Sequence, residues 1–409
     1  MHDVKIKSDQ TKRSLEKAKQ KKAGDREIEG LKDQYANSLR SLDSEERKHA
    51  GCTAANMAPT KDTILITGGT GFVASYCILQ AIQAGYTVHA TLRSRDRIDR
   101  IRQSLQNGGA SWPQVKNVKF FEADLMKDEG WETACQGCGY VLHIATPVPK
   151  ADPKDENDLI IPAREGTLRV LRAAKKVGTV KRVVLTSSAI AVIGGHDVKP
   201  AGRTWNEEEW TDLNNRKISV TAYAKSKTLA ERAAWDFIEK EGNGMQLAAV
   251  HPQLVLGPIL SSDVPSSVEL PMLLLNGKFP GVPHLPIGVA DVRDVADLHM
   301  RAMTYPDATG QRFIATSDDE VVWVQDMVDI LRHNLPEAET KKLPTRALPN
   351  LLLKVVGLFD PTTRLIVPYL GNPMPLSNAK AKNMLGWQPR AAKDALLASA
   401  ESLRKHGKI

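Results

Sequence analysis

The sequence predicts an α/β protein: a Rossmann-type doubly wound parallel sheet with a smaller, mixed C-terminal substrate lobe. Three observations predict it. From Thr63 onward, short apolar runs of β type alternate with helical stretches, the rhythm of a parallel sheet covered on both faces. The first of these runs passes directly into a glycine-rich turn that opens a helix. After about residue 255 the rhythm gives way to irregular text rich in Pro and Gly, LGPILSSDVPSSVELPMLLLNGKFPGVPHLP.

In order, TILIT reads as the first strand and FVASYCILQAIQAG as a helix ending at Gly85. YTVHATL is the second strand, followed by a charged helical stretch. VKFFEADL, GYVLHIAT and KRVVLTSS are further strands, with helices between them such as IIPAREGTLRVLRAAKKVG. Sheets of this kind bind ligands beyond the C-terminal ends of their strands. The expected division is a nucleotide-binding domain over 57–255 and a mainly substrate-binding lobe over 256–409, with about 286–316 returning to the main sheet. Residues 1–56 are rich in Lys, Glu, Gln and Asp and poor in large apolar side chains, so they are expected to form a disordered or loosely helical extension. Met57 reads as a natural beginning, which makes that extension dispensable or a misplaced start.

With 409 residues, 42% hydrophobic and 25% charged, the chain has ordinary globular composition. Its net charge of +8 raises nucleic acid as a partner, but no basic stretch interleaves with aromatics as a nucleic-acid groove requires. The most apolar window, LPNLLLKVVGLFDPTTRLIVPYL, is broken by Lys354, Asp360, Pro361 and Arg364, so no membrane span is expected. The beginning of the chain carries no apolar core of a secretory signal. Four cysteines do not make a disulfide framework in so long a chain, and Cys135 and Cys138 are expected to be two reduced thiols, one of them packed. The expectation is a cytoplasmic monomer or homodimer with no metal, nucleic-acid or membrane partner.

The turn GGTGFVAS carries the first site. Gly68 and Gly71 allow a tight turn and a close approach to a pyrophosphate. The helix that opens through Thr70, Phe72 and Val73 offers free N–H groups and a positive dipole end. Ala74 stands where a third glycine is common, and its methyl still permits close helix–strand packing. Such a turn, between this strand and this helix, implies a dinucleotide. The second strand ends ATLRSRDR, with Arg93 first and no acid before Asp96, so a ribose 2′-phosphate is favoured over a free 2′-hydroxyl: NADP(H) rather than NAD(H). Farther on, TAYAKSKTLAE sets Tyr223 and Lys227 one helical turn apart on one face. An ammonium beside a phenol lowers its pKa from about 10, which suits a proton donor.

The order glycine turn, FFEADL, HIATP, LTSS, YAKSK resembles the extended short-chain dehydrogenase/reductases of the NAD-dependent epimerase/dehydratase superfamily. Within it, the chain is similar to the dihydroflavonol-reductase-like group of NADPH-dependent ketone and aldehyde reductases. The resemblance covers about residues 61–405 and includes NMLGWQPR near the C-terminus. It implies that Ser188, Tyr223 and Lys227 form a catalytic triad. It implies that Asp124 and Leu125 flank the adenine, and that Ile144, Ala145 and Thr146 line the ribose and phosphates. Arg93 and Arg100 would hold the 2′-phosphate, and Pro252 and Val255 would pack by the nicotinamide. Tyr223 would donate the proton to a carbonyl oxygen, Ser188 would fix that oxygen, and Lys227 would lower the phenol pKa and bind the nicotinamide ribose.

Plant dihydroflavonol reductases place an asparagine five residues after the catalytic serine, where this chain has Ile193, so a small-molecule ketone or aldehyde of apolar or polyketide-like character is expected instead. His196 reads as a solvated loop histidine, and Trp205 and Trp210 as anchors of the loop around them. Three other readings stand beside the reductase. A hydroxysteroid dehydrogenase would differ mainly in pocket and direction. A nucleotide-sugar epimerase or dehydratase shares the Tyr–Lys pair, but Ala189 and Ile190 follow Ser188 where a sugar dehydratase has an acidic pair. A non-catalytic NADP-sensing regulator would commonly lack the tyrosine.

Overall fold

The computed structural model describes residues 62–409, except 148–152, 197–203, 216, 219 and 320. The expectations for the 1–56 extension lie outside the described residues. Seven strands form the main sheet: β1 (Thr63–Ile66), β2 (Thr87–Leu92), β3 (Lys119–Glu122), β4 (Cys138–His143), β5 (Arg182–Thr186), β6 (Gln246–Pro252) and β7 (Arg312–Ala315). Their order is β7-β6-β5-β4-β1-β2-β3, and every pairing is parallel. β1 lies between β2 and β4, with Ile64 opposite Val88 on one side and Tyr140 on the other. The order reverses there, which opens a crevice at the C-terminal ends of the strands. Ile64, Leu65 and Ile66 are fully buried, as expected of a strand sandwiched between two helical layers.

The helices fill both faces. On one, α1 (Phe72–Gln83) presses Ala74, Cys77, Ile78 and Ala81 onto the sheet. On the other, α2 (Asn157–Val177) and α3 (Ala222–Glu241) contribute Val170, Leu171, Ala174, Ala234 and Phe237 to a separate cluster. The first face is completed by α4 (Val292–Thr304). The phrase NMLGWQPR closes onto it: Trp387 is buried and its Nε1 donates to the Asp294 carbonyl at 2.9 Å, while the Arg390 N–H donates to the Asp294 carboxylate at 2.6 Å.

A third apolar cluster draws Leu256, Val268, Leu274 and Met327 together with Leu396 and Leu403. It includes partly buried Leu353 of α5 (Asn350–Phe359) and is backed by α6 (Ala392–Lys405), whose Ser399 and Ser402 hydroxyls accept the Gly257 and Ile259 N–H groups at 2.8 and 2.9 Å.

Cys135 and Cys138 are both buried free thiols, so both are packed where one was expected. A histidine also arrives through space: His89 Nδ1 of β2 lies 3.4 Å from the Cys138 sulfur. Burial pushes both thiols up to about 12, which leaves them unreactive.

Candidate active site

Most predicted site residues lie at or just beyond the C-terminal ends of parallel strands, so topology gathers them on one edge. Residues 68–73 follow β1, Arg93 follows β2, and Asp124 and Leu125 follow β3. Ile144 to Thr146 follow β4, and Ser188 follows β5. Pro252 ends β6, with Val255 just beyond it. Tyr223 and Lys227 stand in the first turns of α3, the helix between β5 and β6.

The glycine turn is held from two sides. The Gly68 and Gly69 N–H groups donate to the Thr91 hydroxyl and carbonyl at 3.1 and 2.7 Å. The Thr67 hydroxyl accepts the N–H groups of Ile144 and Ala145, each at 2.9 Å, and pairs with His143 Nδ1 at the same distance. Gly68 has φ +71°, and a Cβ there would meet Ala145 at 3.1 Å, so glycine is required for conformation and space alike. Behind it, α1 starts with no side-chain cap at Gly71 and no acid in its first turn. Uncapped N–H groups and a positive dipole end fit a pyrophosphate.

Arg93 is exposed and makes no ion pair among the described residues. Arg100 differs: its guanidinium pairs with the Asp263 carboxylate, which also lies 3.9 Å from Arg97. Asp263 sits in the irregular segment after β6 and gave no signal in the sequence. Asp124 is turned to local work, its carboxylate accepting the Met126 N–H at 2.9 Å, and Leu125 fills the space beside Gly166.

The two serines after β5 separate cleanly. Ser187 is buried and donates to Glu231 Oε2 at 2.6 Å. Ser188 is half-buried, its hydroxyl accepts the Ile190 N–H at 3.3 Å, and it lies beside the Tyr223 phenol. The expected pKa effect on Tyr223 is reversed: burial raises the phenol above its ordinary value, and only the neighbouring Ser188 hydroxyl works against this. Lys227 shares the face, but it is sunk to 4% exposure, with Nζ donating to the Thr186 carbonyl at 3.2 Å. Burial draws its ammonium down to about 8, against the pull of Glu231. The same ammonium, after burial, helps hold His143 near 3, and the buried Nε2 of His143 has no partner.

Glu231 was missed by the sequence reading, although it continues the spacing Tyr223, Lys227, Glu231 along one face. Four side chains donate to its carboxylate: Ser187, His251 Nε2 at 2.8 Å, Arg312 Nε at 2.7 Å and Trp235 Nε1 at 3.2 Å. Tyr369 was missed as well. It comes from the C-terminal lobe, and its hydroxyl lies near Thr221, the N-cap of α3, and near Tyr223. Tyr369, Ile193, Ile218, Pro368 and Met374 line a small cavity of about 10 Å³, with His196 at its wall. His196 is not a solvated loop residue: it stacks on Trp205 at 4.5 Å and its Nε2 donates to the Trp210 carbonyl at 2.7 Å. Trp205 is buried, and the Trp210 ring carries the Arg312 guanidinium at 3.8 Å.

Comparison with known proteins gives the chain its relatives. Residues 64–314 match the family described as NAD dependent epimerase/dehydratase. The chain is 34% identical to anthocyanidin reductase ((2S)-flavan-3-ol-forming) of Vitis vinifera over 318 residues, 75% of this chain and 87% of the relative. It is 34% identical to dihydroflavonol 4-reductase of Zea mays over 284 residues, 68% of this chain and 76% of the relative. Yeast methylglyoxal/isovaleraldehyde reductase Gre2, solved in complex with NADPH, aligns with a TM-score of 0.68 at 28% identity, covering 85% of this chain and 100% of that one. A match over more than half of the sequence, with such relatives along most of its length, decides its membership: the chain belongs to the NAD dependent epimerase/dehydratase family.

Proposed function

We propose that this chain, an oxidoreductase working with NADPH, reduces a ketone or aldehyde on a largely apolar body, with Tyr223 as proton donor. The observation that carries the reading is the half-buried Tyr223 phenol, set beside Ser188 at the end of β5 and one turn from the buried Lys227 on the same helix face. Two relatives are named as reductases of anthocyanidin and dihydroflavonol, and the solved neighbour as a reductase of methylglyoxal and isovaleraldehyde.

The cofactor fits the residues present. The uncapped start of α1 would take the pyrophosphate, Arg93 and Arg100 the 2′-phosphate, Asp124 and Leu125 the adenine edge, residues 144–146 the ribose side, and Pro252 and Val255 the nicotinamide. When bound, NADPH supplies the hydride for the carbonyl carbon. Tyr223, an ordinary phenol of pKa about 10 raised further by burial, carries its proton at neutral pH and can give it to the carbonyl oxygen as charge develops there. Ser188 holds the same oxygen by a second hydrogen bond, a preorganised donor that needs no reorientation during the step. Lys227, fixed on the Thr186 carbonyl, sets a buried positive charge behind the tyrosine and reaches for the nicotinamide ribose. Ile193 and Tyr369 give the substrate side an apolar wall.

The test is loss of NADPH absorbance against a panel of aldehydes, β-keto esters and aromatic or polyketide ketones, with NADH in parallel. Tyr223→Phe keeps the ring but not the proton, and its turnover should fall by about 10³-fold while NADPH binding by fluorescence titration stays intact. Normal turnover by that variant would remove Tyr223 from the mechanism. Preference for NADH would overturn the role of Arg93 and reopen the epimerase reading.

A further inference from the structure

α5, sequence NLLLKVVGLF, turns its apolar side outward. Leu351, Leu358 and Phe359 are 73%, 68% and 83% exposed, and Leu352, Val355 and Val356 are exposed beside them. The spacing 351, 355, 358, 359 lays these side chains along one stripe. The inward positions are Leu353, packed on the lobe cluster, and Gly357, where a Cβ would meet the Val367 side chain at 2.7 Å. The helix is thus seated by a glycine and one leucine, and presents its larger apolar face to the outside. An outward apolar stripe of this breadth marks an interaction surface.

Charge selects the partner. From residue 341 to residue 376 the chain carries five cations, Lys341, Lys342, Arg346, Lys354 and Arg364, and a single acid, Asp360. Asp360 is used internally, accepting the Thr363 N–H and hydroxyl at 2.6 and 2.5 Å. Arg364 donates to the last carbonyls of α5, those of Gly357 and Leu358, at 3.1 and 3.0 Å. Lys341, Lys342, Arg346 and Lys354 are exposed and make no ion pair among the described residues. Of the acids just upstream, Glu339 is paired with Arg404, which leaves Glu337 as the local counter-charge. Lys354 flanks the stripe on the helix itself, and Arg346 lies four residues before its start.

We propose that α5 is an interfacial helix that docks this protein on an anionic phospholipid surface. An apolar stripe flanked by one unpaired cation, with three more in the segment just before the helix, fits a helix lying in the headgroup layer, where apolar burial and attraction to acidic lipids act together. Ten residues make about 15 Å of helix against a hydrocarbon core of about 30 Å, so it lies on the membrane and does not cross it. Among the described residues no helix is long and apolar enough to cross. The sequence-level exclusion of a membrane partner rested on spanning length, which a surface contact does not need.

The experiment is flotation of the full chain with phosphatidylcholine vesicles and with vesicles that also contain phosphatidylserine, at low and high salt. Two exposed double variants accompany it, Leu358→Glu with Phe359→Glu, and Lys341→Glu with Arg346→Glu. Their thermal midpoints and NADPH binding serve as controls for folding. The expected result is binding to the phosphatidylserine vesicles only, weakened by salt and reduced about tenfold or more by either variant. The charge variant keeps the test decisive should the apolar one fail to fold. Absence of binding overturns the proposal, as does equal binding to neutral vesicles. Binding that survives both variants overturns it too, because another part of the chain would then carry it. Self-association abolished by the apolar variant, without vesicle binding, would assign the stripe to a second copy instead.

Discussion

Two buried charges stand one turn apart on α3, and the protein treats them in opposite ways. Glu231 is fully buried and accepts from Ser187, His251, Arg312 and Trp235, which bring together the turn after β5, strands β6 and β7, and its own helix. A carboxylate only accepts, so His251 Nε2 must carry the hydrogen it shares with Glu231. Burial alone would raise this carboxyl; His251 and Arg312 outweigh it and hold the group well below the usual carboxylate range. Lys227 has one side-chain bond among the described residues, to the Thr186 carbonyl at 3.2 Å, and burial draws it down to about 8. One charge is saturated by the fold. The other keeps donor capacity unspent at the edge where the cofactor is proposed to bind. A satisfied buried charge organises structure, and an unsatisfied one beside a cleft points to a ligand.

The largest way to break that contrast is Glu231→Gln, which leaves Arg312 buried without its counter-charge. Removing one partner of a buried pair costs about 3 kcal/mol, read as the shift in denaturant unfolding. A shift near zero would mean that the cluster is no more structural than Lys227. Since the folded state binds the Glu231 proton less readily than the unfolded chain, its contribution should be complete above the ordinary Glu value of about 4.3 and fade as pH falls below it.

Lys227 gives the next effect: its ionised form costs stability where that of Glu231 contributes it, although in both windows stability rises with pH. Its ammonium is lost on raising pH through about 8 in the folded protein, but only near the ordinary lysine value of about 10.4 in the unfolded chain. Across that window the unfolded chain holds more protons, so this group makes stability rise with pH. Activity should move the other way, kcat/KM falling about tenfold per unit above the limb near 8. Lys227→Met should flatten this part of the stability profile and cost most of the turnover. An alkaline limb near 10 would show that Lys227 is no more poised than a surface lysine.

The legible parts of the molecule were those written in local spacing. The strands, the turn at Gly68 and the pair Tyr223 and Lys227 each depend on residues within a turn or two of one another. Depth was not legible. Helical periodicity sets Lys227 beside Tyr223 but does not say that both are sunk far enough for burial to dominate, so the shift on the phenol came out reversed. Glu231 lay inside the same stretch, yet three of the partners that define it, Ser187, His251 and Arg312, come from two strands and a strand end remote in sequence. His196 and Tyr369 depend on how an irregular lobe folds back on the sheet, and no period marks such contacts. Cys138 met His89 for the same reason: neighbouring layers bring together what the chain keeps apart.

Asp263 extends the comparison to a charge in solvent and carries the smallest effect. Its pairing with Arg100 is 56% and 46% exposed, a setting in which an ion pair contributes little to stability. Its position matters more than its strength, because it occupies a guanidinium proposed for the 2′-phosphate and lies 3.9 Å from a second, Arg97. Asp263→Asn removes that competitor and the repulsion it exerts on an incoming dianion. NADPH should then bind about threefold tighter at low salt, the gain shrinking as salt rises, and NADH, which lacks the phosphate, should be unaffected. Unfolding stability should not change. Weaker NADPH binding in this variant would give the opposite result: Asp263 would be aligning Arg100 for the phosphate, an ordering role like that of Glu231 but exercised at the surface.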